Sequence, residues 1–179
     1  MIDLTEFESR AVPLRALGVV VSQNGTQLAR RLWDDTCRRN VYSASKSFTS
    51  MAVGIAQKEG LLSIDEKLTD AFKDDLPEIV SDNLKAATVR DLLTMSCGHE
   101  TEINTFDVNE PDWIKNFLSH EFKYKPGTCF MYNTAGTNML CAALKRRTGE
   151  NLFEYLTPRL FEPLGMENIE CFCLPDGIE

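Results

Sequence analysis

Val41-Tyr42-Ser43-Ala44-Ser45-Lys46-Ser47-Phe48-Thr49-Ser50 is the stretch on which the fold turns. From Ala44 onward the apolar residues Ala44, Phe48, Met51, Ala52 and Ile55 recur at helical spacing, and Gly60 stands where a C-terminal cap would close the helix. The spacing predicts a helix over about 43–59. Ser43 and Lys46 are three residues apart and so share one face of it. The Lys46 amine can then sit beside the Ser43 hydroxyl and, if burial lowers its pKa, take the hydroxyl proton as the oxygen attacks a carbonyl. At a helix N-terminus the unpaired N–H groups favour negative charge, so the Ser43 N–H can serve as one oxyanion donor. A second donor must come from elsewhere. The motif alone is weak: ten serines and nine lysines in 179 residues give about half of one such pair by chance. A serine ahead of an apolar helix is ordinarily an N-cap, with the lysine merely exposed.

Working outward, Leu14 to Ser22 is a valine-rich apolar run, and Gln23-Asn24-Gly25-Thr26 is a hairpin turn leading into a second run, Gln27 to Trp33. Beyond the nucleophile stretch the pattern is helical. Thr88-x-x-Asp91 reads as a capping arrangement, and Pro111 to His120 as a short amphipathic helix. Thr134 to Arg147 carries Met139, Leu140, Ala143 and Leu144 on one face and stops at Gly149. Asn151-x-x-Glu154 opens a last helix that Pro158 must interrupt.

A second chemical feature is Pro126-Gly127-Thr128-Cys129-Phe130-Met131-Tyr132-Asn133-Thr134, a turn followed by a tyrosine just ahead of a helix. Tyr132 could share a proton with Lys46 and protonate a leaving group, provided neighbouring positive charge lowers its pKa from about 10. The plainer reading is a half-buried aromatic.

Composition excludes several classes. A net charge of −8 and a pI near 4.9 argue against binding nucleic acid or anionic membranes, which needs a basic surface. No apolar run approaches the roughly 18 residues of a membrane span. Met1-Ile2-Asp3-Leu4-Thr5-Glu6 is acidic where a signal peptide would be basic and then apolar, so the expected location is cytoplasmic. Cys37, Cys97, Cys129, Cys141, Cys171 and Cys173 read as free thiols, because the chain is too long and too rich in core residues to be a disulfide scaffold. Cys97-Gly98-His99 and Cys171-Phe172-Cys173 put soft ligands close together without Cys-x-x-Cys spacing, and the chain has only two histidines, so no metal is expected. No organic cofactor is expected either, there being no Gly-x-Ser-x-Gly elbow, dinucleotide fingerprint or phosphate loop.

Taken together, Val41 to Ser50 closely resembles the nucleophile segment of class C β-lactamases and related penicillin-binding proteins and esterases, the superfamily associated with Ser-x-x-Lys. The downstream order is similar as well: Glu59-Gly60-Leu61-Leu62 with Ile64-Asp65, then Asp91-Leu92-Leu93-Thr94, Pro126-Gly127-Thr128, Tyr132, and Phe161-Glu162-Pro163-Leu164-Gly165-Met166. The resemblance implies Ser43, Lys46 and Tyr132 as catalytic positions, with Tyr132 matching the tyrosine of the family's Tyr-x-Asn motif. This chain has threonine where that motif puts asparagine, so both Asn133 and Thr134 stand as candidate substrate-binding residues. The family's third motif, Lys-Thr-Gly or His-x-Gly on a strand that normally supplies the second oxyanion N–H, has no match before Glu179.

The implied fold class is α+β, β-lactamase/transpeptidase-like and incomplete. Residues 1–42 would form the N-terminal β-hairpin of the sheet domain, 43–179 the nucleophile helix and helical domain, and the C-terminal part of the sheet would be absent. A hairpin without sheet partners exposes unpaired edges, which implies self-association or a missing C-terminal half. The expected function is that of a serine hydrolase or acyl-transfer enzyme acting on a small β-lactam, ester or D-alanyl peptide through an acyl-enzyme at Ser43. The alternative is a fragment that binds, or is slowly acylated, without turnover.

Overall fold

The computed structural model of the chain describes residues 2–34, 39–103 and 112–172. They divide into two compact units, Met1–Tyr42 and Ser43–Glu179. The fold is the α+β one expected, a two-stranded hairpin followed by a mainly helical part.

In the first unit, β1 (Gly18–Gln23) pairs antiparallel with β2 (Thr26–Leu32), from Gly18 opposite Leu32 to Gln23 opposite Thr26, with a shift of register between Val21, opposite Ala29, and Ser22, opposite Gln27. Asn24 and Gly25 both take positive φ, 50° and 76°, as a two-residue hairpin turn matching the strand twist requires. The strand starts later than the apolar run does. Val12–Leu14 is a 3-10 turn begun by Pro13, and Arg15 leaves it in the left-handed region. Ahead of this lies α1 (Thr5–Ala11), an element the sequence pattern does not announce. Asp3 Oδ1 accepts from the Thr5 N–H and hydroxyl at 2.9 and 2.6 Å, and Glu6 and Glu8 put negative charge in its first turn. Phe7 stacks on Trp33 with centroids 6.3 Å apart, and the Trp33 indole N–H donates to Glu8 at 2.8 Å.

The second unit is built around α7 (Thr134–Thr148), whose residues Ala135 to Leu144 are nearly all buried. Against α7 pack α2 (Lys46–Lys58), α5 (Val89–Leu93) and α8 (Leu152–Leu156). The short helices α3 (Leu68–Ala71), α4 (Asp82–Ala86) and α6 (Trp113–Ser119) complete it. Helix α2 buries Thr49, Ala52, Val53 and Ala56, and two alanines one turn apart let another helix approach closely. The Thr49 hydroxyl lies 3.8 Å from the Cys141 thiol of α7.

The expected ends are found where local chemistry makes them. Asp91 accepts from both the Thr88 N–H and its hydroxyl, at 2.8 and 2.6 Å. Asn151 and Glu154 form a reciprocal capping box, and Gly149 closes α7 at φ 78°. Beyond Leu156 the chain widens into a π-helical turn, Thr157–Phe161, around Pro158, which cannot donate to a regular helical ladder. Glu59 joins α2 to this region, accepting from the Tyr155 hydroxyl at 2.9 Å and from Arg159 Nε at 3.0 Å. Burial, with the Glu59 bond next, pushes the Tyr155 phenol up to about 12. Pro111, Cys37 and Cys173 lie outside the described residues; Cys97 and Cys129 are free thiols. Among the described residues no helix is long and apolar enough to cross a membrane.

Candidate active site

The nucleophile segment enters α2 through a 3-10 turn, Tyr42–Ser45, rather than as α-helix from Ser43. The difference has a chemical consequence. In a 3-10 turn the side chains at i and i+3 eclipse one another, and Lys46 Nζ accordingly donates to Ser43 Oγ at 3.0 Å. Ser43 is not the N-cap: that position is Ser45, whose side chain makes no capping bond. Tyr42, just before the nucleophile, takes φ 46°, an unfavourable conformation for a bulky residue. Asn40 Oδ1 holds it there by accepting from the Tyr42 N–H at 2.8 Å.

Tyr132, 89 residues further on, donates its hydroxyl to the same Ser43 Oγ at 2.7 Å. Its ring lies 5.3 Å below Lys46 Nζ, a cation–π distance. The convergence comes from packing. The Ser43–Tyr132 contact just ahead of the two helices and the Thr49–Cys141 contact further along them set α2 and α7 side by side with both N-termini at one end. Ser43 itself stands just ahead of the positive end of α2.

What holds Tyr132 in place is a backbone ladder between two loops. Met131 N–H donates to Met95 O at 2.8 Å, Gly127 N–H to Ser96 O at 2.9 Å, and Tyr124 N–H to Gly98 O at 3.0 Å. Gly127 takes φ 80°, and a Cβ there would meet Asp91 Oδ1 at 3.5 Å. The Asp91-Leu92-Leu93 and Pro126-Gly127-Thr128 strings are thus two sides of one support.

Asn133 is 2% exposed, and its amide acts inside the fold. Oδ1 caps α7 by accepting from the Gly136 N–H at 3.1 Å, and Nδ2 lies 3.4 Å from His99 Nδ1. Thr134 is partly exposed, and its N–H donates to Glu102 Oε1 at 3.1 Å. Of the five candidate residues the structure brings Ser43, Lys46 and Tyr132 into contact, leaves Thr134 partly exposed at the start of α7, and turns Asn133 inward.

The electrostatics are local. The Ser43 hydrogen bond, with Lys46 next, holds the Tyr132 phenol below its ordinary value near 10, against weaker opposing effects of desolvation and the Glu102 charge. Thr134, through side chain and backbone, holds the Glu102 carboxyl below the usual carboxylate range, and the Lys46 charge adds to this. Two groups escape a reading of the sequence by motif. Glu102 lies in a loop with no spacing signal, and His99 draws notice only as half of a Cys-x-His pair. His99 is 2% exposed, lies edge-on to Phe117 and tilted against Phe122, and its Nδ1 is 3.5 Å from the Cys97 thiol. The Asn133 amide donates toward Nδ1, so the neutral ring carries its proton on Nε2, which has no hydrogen-bond partner among the described residues.

Burial pushes the His99 pKa down from 6.5 to about 4. The folded state then binds fewer protons than the unfolded chain, so this stability is complete above pH 6.5 and is lost as pH falls toward 4. The expected loss is about 3 kcal/mol. Carboxylates such as Glu59 and Glu102, whose pKa values are lowered from 4.5, add their own loss below that value. Urea midpoints between pH 7 and 5 isolate the histidine; an unchanged midpoint over that range would contradict the assignment.

A beta-lactamase family profile matches residues 8–177. The chain belongs to the beta-lactamase family. Among curated relatives, this beta-lactamase-family chain is 25% identical over 156 residues to a lovastatin esterase of Penicillium rubens, covering 73% of the chain and 38% of the relative. It is 25% identical over 197 residues to a D-aminopeptidase of Brucella anthropi, covering 97% and 37%. Among solved structures it superposes on a beta-lactamase/D-alanine carboxypeptidase of Pseudomonas syringae with a TM-score of 0.71 at 21% identity, covering 93% of this chain and 51% of the other. An octameric penicillin-binding protein homologue of Pyrococcus abyssi gives 0.71 at 22%, covering 94% and 44%. The chain therefore spans well under half the length of these curated relatives and about half that of the structures, whose likeness concerns the fold.

Proposed function

We propose that Ser43 is the nucleophile of an acyl-transfer reaction on an ester, lactam or D-aminoacyl donor, with Lys46 and Tyr132 moving the proton. The observation that carries this reading is the convergence of Lys46 Nζ and the Tyr132 hydroxyl on one Ser43 Oγ, at 3.0 and 2.7 Å. A serine oxygen must lose its proton as it attacks a carbonyl, and a base within hydrogen-bond reach supplies the acceptor. Both partners are within reach, and the lowered pKa of Tyr132, caused first by its hydrogen bond to Ser43, fits a phenol that exchanges a proton with that oxygen. When the leaving group departs, the same pair returns a proton to it. The N-terminus of α2, just after Ser43, favours the negative charge that develops on the carbonyl oxygen. The relatives' names, an esterase and a D-aminopeptidase, fit acyl donors that need no lactam ring.

The partial coverage of those relatives favours a second reading, in which this chain is acylated but does not release the acyl group. Release of nitrophenol from p-nitrophenyl acetate separates the two. A burst of about one equivalent followed by a steady rate is expected of the hydrolase, with both phases slowed on the order of 10²-fold in Tyr132→Phe. A burst with no steady phase identifies the acylated, non-releasing fragment. Neither phase above a Ser43→Ala control would overturn the assignment of Ser43.

A further inference from the structure

We propose that His99 is a positioning residue for acylation: its Nδ1 fixes the orientation of the Asn133 amide, and through that amide holds the segment carrying Tyr132 against Ser43. The inference rests on Ser43 being the acylated residue.

Polar-atom accounting sets the orientation. Helix α7 has its N-cap in Asn133, and the Gly136 N–H, which can only donate, is 3.1 Å from Oδ1. The amide oxygen must face that N–H, so Nδ2 is the end turned to His99 Nδ1, 3.4 Å away. Exchanging the two ends would set one donor against another and leave the helix uncapped. The Cys97 thiol, 3.5 Å from the same imidazole nitrogen, is a weak donor and does not orient the amide. Placement gives the contact its reach. Loop 95–99 holds the chain on both sides of Tyr132: Met95 O accepts from the Met131 N–H at 2.8 Å, just before it, and His99 Nδ1 meets the Asn133 amide just after it. Tyr132 lies between these two anchors, with its hydroxyl 2.7 Å from Ser43 Oγ. Releasing the second anchor shifts the phenol relative to the oxygen it serves. Packing does not account for the imidazole. His99 is 2% exposed, its ring centroid lies 4.6 Å from that of Phe117 and 4.2 Å from that of Phe122, and its Nε2 has no hydrogen-bond partner among the described residues. An apolar side chain would fill that space without burying an unsatisfied N–H. What it would lack is an acceptor for Asn133.

The test is a double-mutant cycle read by the burst rate of nitrophenol release from p-nitrophenyl acetate. His99→Leu removes the acceptor, and Asn133→Ser supplies a helix cap with no amide to orient. With Asn133 in place, His99→Leu is expected to slow the burst roughly tenfold, the effect of a slight misplacement of a reacting group. His99→Gln, which keeps an acceptor, is expected to restore most of the rate. In the Asn133→Ser background the same His99→Leu change is expected to alter the burst by no more than about twofold, because the group it acts through is gone. A packing role would give equal factors in the two backgrounds, and equal factors overturn the proposal. If either variant fails to fold, the imidazole tautomer of the wild type decides, read by 15N NMR: a proton on Nε2 of His99 is expected, and a proton on Nδ1 overturns the proposal. A wild-type burst no larger than that of Ser43→Ala would instead overturn the reading of Ser43 on which the proposal rests.

Discussion

Lys46→Ala is expected to slow acylation of Ser43 on the order of 10³-fold, within the range that a positioned general base contributes. Lys46 stands over Ser43 because the 3-10 turn Tyr42–Ser45 eclipses i and i+3, and its Nζ is 3.0 Å from the Oγ. Removing it takes away a proton partner of the hydroxyl and, with it, the charge that helps hold the Tyr132 phenol down. Two of the three members of the site are thus altered by one change, and the effects of Lys46→Ala and Tyr132→Phe should not add. The fold is expected to tolerate the loss, since Lys46 is the first residue of α2 and only partly buried. Single-turnover acylation by an activated ester, with a thermal melt beside it, reads both quantities. A fall smaller than tenfold would remove Lys46 from the proton path.

Gly98→Ala is expected to cost about 3 kcal/mol, a fall of roughly 10 °C in Tm for a chain of this length. Gly98 takes φ 115°, where side chains are strained, and an added Cβ would stand 2.4 Å from the Tyr124 carbonyl oxygen. That contact is with backbone, so no rotamer change relieves it. Gly98 O accepts from the Tyr124 N–H in the same ladder that ends at Met131, the residue before Tyr132. The substitution should therefore also loosen the Tyr132–Ser43 contact and slow acylation, without touching a reacting atom. Thermal denaturation of the variant checks the first effect and single-turnover acylation the second. A Tm within 2 °C of wild type would mean that the loop yields more easily than its geometry implies.

Much of this architecture is legible in the residues themselves, for identifiable reasons. Helix α7 is long and its apolar positions are periodic, so its body and its Gly149 stop can be read directly. The Asn24-Gly25 turn and the caps at Thr88 and Asn151 are chemical signals that act over four residues. Helix α1 is seven residues long, too short for periodicity to stand out, and it depends on Asp3 and on the Trp33 contacts. The 3-10 entry to α2 is invisible to a helical period, although it is what aligns Lys46 with Ser43. For the site, Ser43 and Lys46 share a local motif, but the meeting with Tyr132 is a product of the packing of α2 on α7. Sequence leaves Asn133 and Thr134 as equals; the structure separates them, with Asn133 buried as the α7 cap and Thr134 at its exposed start. Glu102 and His99 owe their interest to neighbours more than 30 residues away, which no spacing rule reaches.

The central claim is that Ser43 is acylated, and its most direct test is intact-mass analysis after incubation with an activated short-chain ester and, separately, a reactive penicillin, followed by peptide mapping. The expected result is a single adduct per chain on the peptide containing Ser43, absent from Ser43→Ala. An adduct that persists in Ser43→Ala, or that maps to another residue, would contradict the account.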